Sequence, residues 1–296
     1  MIFIDKSIKT EEGRNVNIMF LKDHFDSALL KFTIPLDKSA YNIYATNHKY
    51  KDIWRKLLCE EQDFICCYCM RRLTIDNFSA EHIIPQSLKG DDDRPEFLRY
   101  VTGGNTAPNI VNGVEYSDDT ESRSYVSIAD IESLTKMPHV ISHHNLLAAC
   151  KGPRGTEITG CCCNHRRGRN YIVPLMLIPG GEKRFEYDPN GIMSISPHEE
   201  SWKSILSVLN GTTFQTIRRI WYLIANNTHL KSGQFSYATP EIQRINIFKA
   251  AFKQKNFLNI PKIYRSFIGR IMGKGNDYTW KLLVDYSWFL EYYRNH

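Results

Sequence analysis

The 296-residue chain lacks any apolar run approaching the roughly 18 residues that cross a bilayer. Its N-terminus also lacks the basic-then-apolar pattern of a secretory signal. Both absences point away from membrane and export, so the expected location is cytoplasmic. Internal repeats and low-complexity segments are missing too, which excludes solenoid and tract-like architectures. Cysteine is absent from residues 1–58 and from residue 164 onward; all eight cysteines lie between Cys59 and Cys163. A disulfide-stapled secreted domain is smaller and spreads its cysteines more evenly. Acidic residues are scarce at the other end: residues 201–296 hold 4 Asp/Glu against 14 Lys/Arg, a balance of +10. The first 200 residues carry 28 against 24, or −4, so the mild net charge of +6 is unevenly divided.

The composition is otherwise that of a folded protein. Hydrophobic residues make up 42%, charged residues 24% and aromatics 12%, which supplies a core and argues against a largely disordered chain. The length allows one large domain or two modest ones. Tyr50 to Gln62 reads as an amphipathic helix with Ile53, Trp54, Leu57 and Leu58 on one side. Residues 66–88 read as a tight turn followed by short extended segments. The stretch 89–140 is polar and turn-rich, with a short helix near Ile128–Leu134; its bulk, about 89–138, reads as an irregular insertion. Residues 184–187 and 192–195 form a strand pair about the turn Asp188-Pro189-Asn190-Gly191. From Glu199 the pattern is helical, divided near Gly211, 228–240, 259–261 and 273–276. Three regions follow: an N-terminal segment 1–58, a cysteine-containing domain 59–198, and a helical basic region 199–296.

Seven of the eight cysteines fall in three tight spots: Cys66-Cys67-Tyr68-Cys69, Cys150, and Cys161-Cys162-Cys163. Cys66-x-x-Cys69 has knuckle spacing, which lets two thiolates reach one tetrahedral zinc from a tight turn. Clustered cysteines in a cytosolic context point to metal. The preferred structural zinc set is Cys66, Cys69, Cys150 and Cys163. Cys161 and Cys162 rival Cys163, and Cys67 rivals Cys66, because adjacent side chains point in different directions. Buried free thiols or a redox pair are the plainer alternative.

Beyond Cys69, after eleven intervening residues, comes Glu81-His82-Ile83-Ile84-Pro85, which suits a short strand leading into a loop. Adjacent strand residues point to opposite faces. Glu81 and His82 can therefore act together only where the strand is distorted or ends. An acid-histidine pair alone carries little information; its position after the knuckle and before Asn145-Leu146-Leu147-Ala148-Ala149-Cys150 and Cys163-Asn164-His165-Arg166-Arg167-Gly168 carries more.

This order, over about residues 64–170, resembles the HNH, or ββα-metal, endonucleases. The resemblance implies an α+β fold in which a zinc-stabilised ββα-metal finger is embedded in a mainly helical protein. It implies that His82 is the general base that activates water against a phosphodiester. Glu81 and Asn164 would ligate a catalytic divalent cation, magnesium or manganese. Asn145 matches the middle asparagine, which ties the loop to the histidine strand. Arg166, Arg167 or Arg169 would hold phosphate. His165, next to Asn164, is a rival ligand, and His143 and His144 are further candidates with structural alternatives. The 62 residues between His82 and Asn145 exceed the family's usual spacing, which is the insertion noted above.

Pro174-Leu175, Arg184-Phe185-Glu186-Tyr187, Gly191-Ile192 and Val208-Leu209-Asn210, with Arg218 and Arg219 beyond, narrow the likeness. They resemble the PtuB-type nucleases of Septu and retron antiphage systems. That implies an effector in a complex with an ABC/SMC-like, PtuA-type ATPase, acting on nucleic acid: DNA as the usual substrate, tRNA as the other. The rival class is a non-catalytic, zinc-stabilised nucleic-acid-binding or adaptor module. Residues 200–296 hold 18 of the 36 aromatics, among them Trp202, Trp221, Trp280 and Trp288. Interleaved with them are Arg244, Lys249, Lys253, Lys255, Lys262, Arg265, Arg270 and Lys274. The mixture reads as a nucleic-acid face, a partner dock, or an aromatic core beneath a solvated basic surface.

Overall fold

Short polar caps start the N-terminal helices. In the computed structural model, Asp37 accepts from the Ser39 backbone N–H at 2.7 Å, and Asn47 from that of Lys49 at 2.9 Å. Each satisfies a donor left open at a helix start. The structure describes residues 3–76, 78–102, 111, 113–117, 127–150, 167, 170–227, 230–236, 238–253 and 281–295. Helix α1 (Thr10–Asp23) is followed by the hairpin β1 (Phe25–Asp26) and β2 (Lys31–Phe32), then α2 (Lys38–Thr46) and α3 (His48–Glu61). Helix α3 matches the expected helix to within two residues, but its buried face differs. Tyr50, Trp54, Leu57 and Leu58 are buried, whereas Ile53 is 43% exposed. The inward stripe runs at intervals of four and three from Tyr50, and Ile53 falls one residue outside it. Trp54 stacks on Tyr44 and meets Phe78 edge-on, so the N-terminal segment shares its core with the strands that follow.

At the centre lies an antiparallel ribbon, β3 (Phe78–His82) with β6 (Leu146–Cys150). Phe78 faces Cys150 and His82 faces Leu146. Every residue of β6 is buried, as an apolar run of five with cover on both faces should be. The region expected to be irregular contains regular structure. Helix α4 (Arg94–Val101) starts with proline in its first turn, and β4 (Val114–Glu115) pairs in parallel with β5 (Met137–Pro138). The short helix expected near Ile128–Leu134 is present at Ile128–Glu132, with a reciprocal Ser127–Asp130 cap. Phe97, Tyr100, Val114, Tyr116, Ile131 and Met137 are buried. These apolar residues are spaced too widely among polar ones to show a period. Residues 103–110, 112 and 118–126 of this stretch lie outside the described residues.

The expected second strand pair is present as β7 (Phe185–Tyr187) and β8 (Met193–Ile195). Gly191 turns the chain at φ +80°, where a Cβ would come within 2.3 Å of the Gln215 carbonyl oxygen. Helices Lys203–Leu209, Thr212–Asn227, Glu241–Lys253 and Trp288–Asn295 follow. The breaks near Gly211 and 228–240 are where expected; those near 259–261 and 273–276 fall outside the described residues, as do Trp280, Lys255, Lys262, Arg265, Arg270 and Lys274. Trp202 and Trp221 are core residues, their indole N–H groups donating to Val173 and Leu283 carbonyls at 2.8 and 3.0 Å. The architecture is α+β, and no helix among the described residues is long and apolar enough to cross a membrane.

Candidate metal centre and the adjoining histidine strand

The knuckle forms where the chain leaves α3. Ile65 and Arg72 bridge across it, the Cys66 N–H donates to the Arg71 carbonyl at 2.8 Å, and Met70 takes a left-handed conformation at φ +64°. The Cys67 N–H donates to the Ala148 carbonyl at 3.1 Å, which docks the turn on β6. Cys66, Cys69 and Cys150 are thereby gathered, fully buried, with their sulfurs within 4.8 Å of one another. Cys69 and Cys150 sulfurs are 3.7 Å apart. That is far beyond a disulfide bond of about 2.05 Å. It is close to the sulfur–sulfur edge of about 3.8 Å that follows from tetrahedral Zn–S bonds of about 2.3 Å. The three thiols therefore fit a metal ion such as zinc. Cys66 rather than Cys67 joins the group; burial pushes the Cys67 thiol well above its ordinary value. Cys161, Cys162 and Cys163, the fourth-ligand candidates, lie outside the described residues, as do Asn164, His165, Arg166 and Arg169.

Glu81 and His82 sit at the far end of the ribbon from Cys150 and point apart. Glu81 is buried on the knuckle side, where its Oε1 accepts from the Tyr68 hydroxyl at 2.8 Å and from Arg167 Nη1 at 2.6 Å. Arg167 also donates to the His82 and Ile83 carbonyls and to the Tyr100 hydroxyl. It is 1% exposed. This corrects the phosphate role expected for Arg167: its donors are spent inside the protein, stitching residue 167 to β3. Burial pushes the Glu81 carboxyl above the usual range, opposed by Arg167 and Tyr68. Removing Arg167 leaves that carboxylate buried and unpaired, so Arg167→Met is expected to cost about 3–5 kcal/mol. Urea denaturation measures it; a loss below about 1 kcal/mol contradicts this role.

His82 points the other way. Its Nε2 lies 3.0 Å from the Val140 carbonyl, which only accepts, so Nε2 carries the proton. Nδ1 is then a lone-pair acceptor, with no hydrogen-bond partner among the described residues. Tyr41 from α2 meets the imidazole edge-on at 4.5 Å. Burial pushes the ring down to about 4, so it is neutral at physiological pH. Asn145 uses its whole amide on backbone: Oδ1 accepts from the Ile84 N–H at 2.7 Å, and Nδ2 donates to the Ile84 and His139 carbonyls at 2.9 and 2.7 Å. It ties the β6 entry to the end of β3 and leaves no amide atom for a reacting group.

Of the neighbouring histidines, His143 is tied into the core. His143 Nε2 is 2.9 Å from Glu61 Oε2, both buried, and the half-buried Lys6 pairs with the same carboxylate. Burial lowers His139 to about 3 and His144 to about 4. Imidazoles held neutral bind fewer protons folded than unfolded below about pH 6.5, so stability falls as pH drops from there toward 4. Each contributes up to about 1.4 kcal/mol per pH unit in that window. His144→Gln is expected to flatten the slope by one such share. Urea denaturation at pH 7.5, 6.0 and 5.0 checks it, and equal slopes would contradict it.

For a catalytic magnesium or manganese ion the described residues offer less. One Glu81 oxygen is engaged by Arg167 and Tyr68, and among the described residues the only group of three potential metal ligands is the cysteine cluster. Tyr68, Tyr41 and Tyr100, the aromatic side chains that contact Glu81, His82 and Arg167, are absent from the sequence reading; only Tyr68, inside the knuckle, carried a positional hint. No family model, curated protein or solved structure matches this chain.

Proposed function

We propose that this chain is a zinc-stabilised HNH-type endonuclease that hydrolyses phosphodiester bonds in nucleic acid. The observation that carries the reading is the β3–β6 ribbon. It holds a buried cysteine cluster at one end and, at the other, a neutral His82 whose Nδ1 is left as an acceptor. A base in that state takes a proton from water as the water oxygen attacks phosphorus and the P–O bond to the leaving oxygen breaks. Cys66, Cys69 and Cys150 would hold zinc, with Cys163 or a neighbour as fourth ligand, and that ion would fix the knuckle against β6. A magnesium or manganese ion belongs to this reading through the family resemblance alone, which pairs Glu81 with Asn164. In the same way, an effector role in antiphage defence with an ABC/SMC-like, PtuA-type ATPase is part of the proposal, as is a DNA or tRNA substrate.

One observation favours a second reading. Glu81 is closed off by Arg167, which suits a non-catalytic zinc-stabilised nucleic-acid-binding or adaptor module. Incubating the protein with plasmid DNA and with a tRNA pool, in magnesium, manganese or EDTA, separates the two. Metal-dependent products support the nuclease; retention of nucleic acid without products supports the module.

A further inference from the structure

The knuckle is gripped from a distant part of the chain. The Tyr286 hydroxyl lies 3.5 Å from Cys69 Sγ, in a buried setting. One residue earlier, Asp285 Oδ2 accepts from Arg71 Nε at 3.0 Å, and the Asp285 carbonyl accepts from the Arg72 N–H at 2.7 Å. Arg71 and Asp285 are both buried. Arg72 also donates from Nη2 to the Phe235 carbonyl at 2.7 Å. On the same side, a small cavity is lined by Cys69, Tyr68, Phe214, Phe289 and Arg218. Arg218 is 3% exposed, and its Nη1 has no hydrogen-bond partner among the described residues. Thus three features from the last third of the chain converge on the knuckle: a hydroxyl at sulfur, a carboxylate on the residue after Met70, and a buried guanidinium.

The chemistry of a thiolate metal centre explains such a setting. Several thiolates around one divalent ion leave net negative charge, and burying it is costly without donors and cations nearby. A hydroxyl that donates to a ligating sulfur stabilises that charge and orients the ligand. Neutral thiols make weak acceptors and gain far less from it.

We propose that Tyr286 is a positioning residue of the cysteine metal centre. Its hydroxyl donates to the Cys69 thiolate, so metal binding and docking of residues 281–295 onto the knuckle are a single coupled event. This rests on the reading that Cys66, Cys69 and Cys150 hold zinc. Coupling is reciprocal: if the metal favours the docked segment, the docked segment favours the metal by the same factor.

The test uses the full chain as wild type, Tyr286→Phe and Tyr293→Phe. Tyr293 lies in the helix Trp288–Asn295, which follows the turn that carries Tyr286, and donates to the Asp188 carbonyl. Zinc is counted in each, and its affinity is measured by competition with a chromophoric chelator. Cobalt is then substituted, and its thiolate charge-transfer band recorded. Hydrogen exchange across 281–295 is followed before and after chelation. Loss of a partner of this kind typically lowers metal affinity about 10–100-fold. Tyr286→Phe is expected to bind zinc about 10-fold more weakly and to shift the cobalt band, with Tyr293→Phe unchanged in both. Chelation is expected to speed exchange in 281–295 of the wild type. If Tyr286→Phe matches wild type in affinity and band, or chelation leaves exchange unchanged, the inference is overturned while the zinc reading stands. A wild-type chain holding less than about half an equivalent of zinc overturns both.

Discussion

His82→Ala is expected to lower nucleic-acid cleavage by about 10²–10⁴-fold, the range of a general base, while zinc content stays at one equivalent. The size follows from the geometry. The Val140 carbonyl fixes Nε2 as the protonated nitrogen and leaves Nδ1 as acceptor. Tyr41 meets the ring edge-on, and Asn145 fixes the backbone at Ile84, just after the strand that carries it. The far end of the ribbon, where Cys150 faces Phe78, is separate, so the substitution leaves the metal cluster alone. Cleavage rates, metal analysis and circular dichroism on the same preparation give the answer. A variant that keeps wild-type rates removes His82 from the chemistry.

The second large effect concerns the metal. Structural zinc in small domains contributes about 10–16 kcal/mol of apparent binding free energy, as much as the whole stability of a typical domain, about 5–15 kcal/mol. The knuckle and β6 bury three thiols together within one hydrophobic core. Chelation, or Cys69→Ser, is therefore expected to destabilise the β3–β6 ribbon enough to unfold the knuckle at room temperature. Hydrogen exchange in 64–82 and 146–150 reports it directly. Full protection in the chelated protein would show that packing alone holds the region.

The sequence was informative where chemistry is local. Cys66-x-x-Cys69, the apolar run ending at Cys150, and the turn at Asp188–Gly191 each carry their own geometry in a few consecutive residues, and the structure realises all three. The knuckle spacing favours Cys66 with Cys67 as its rival, and Cys66 is the one gathered with Cys69 and Cys150; Cys67 is equally buried, so burial does not tell the two apart. Ile53 misled because a one-residue phase error on a helix rotates a side chain by about 100°. Long-range partners were invisible. Nothing near Glu81 in sequence announces that Arg167, 86 residues away, occupies its carboxylate. Nothing near Cys69 announces Tyr286, 217 residues away. Arg167 is one of three candidate phosphate ligands only through the family resemblance; its burial and its bonds to Glu81 and the β3 backbone show a different role. The insertion read as irregular because its buried aromatics, Phe97, Tyr100 and Tyr116, stand singly among polar residues.

The most direct measurement compares wild type and His82→Ala side by side on plasmid DNA and a tRNA pool. Each is assayed alone and with the ATPase proposed as its partner, with magnesium or manganese and with EDTA. Fragments that depend on the divalent ion are expected from the wild type, and almost none from His82→Ala. A wild type that cuts neither substrate under any of these conditions, or a His82→Ala variant that cuts as fast as the wild type, would contradict the nuclease proposal.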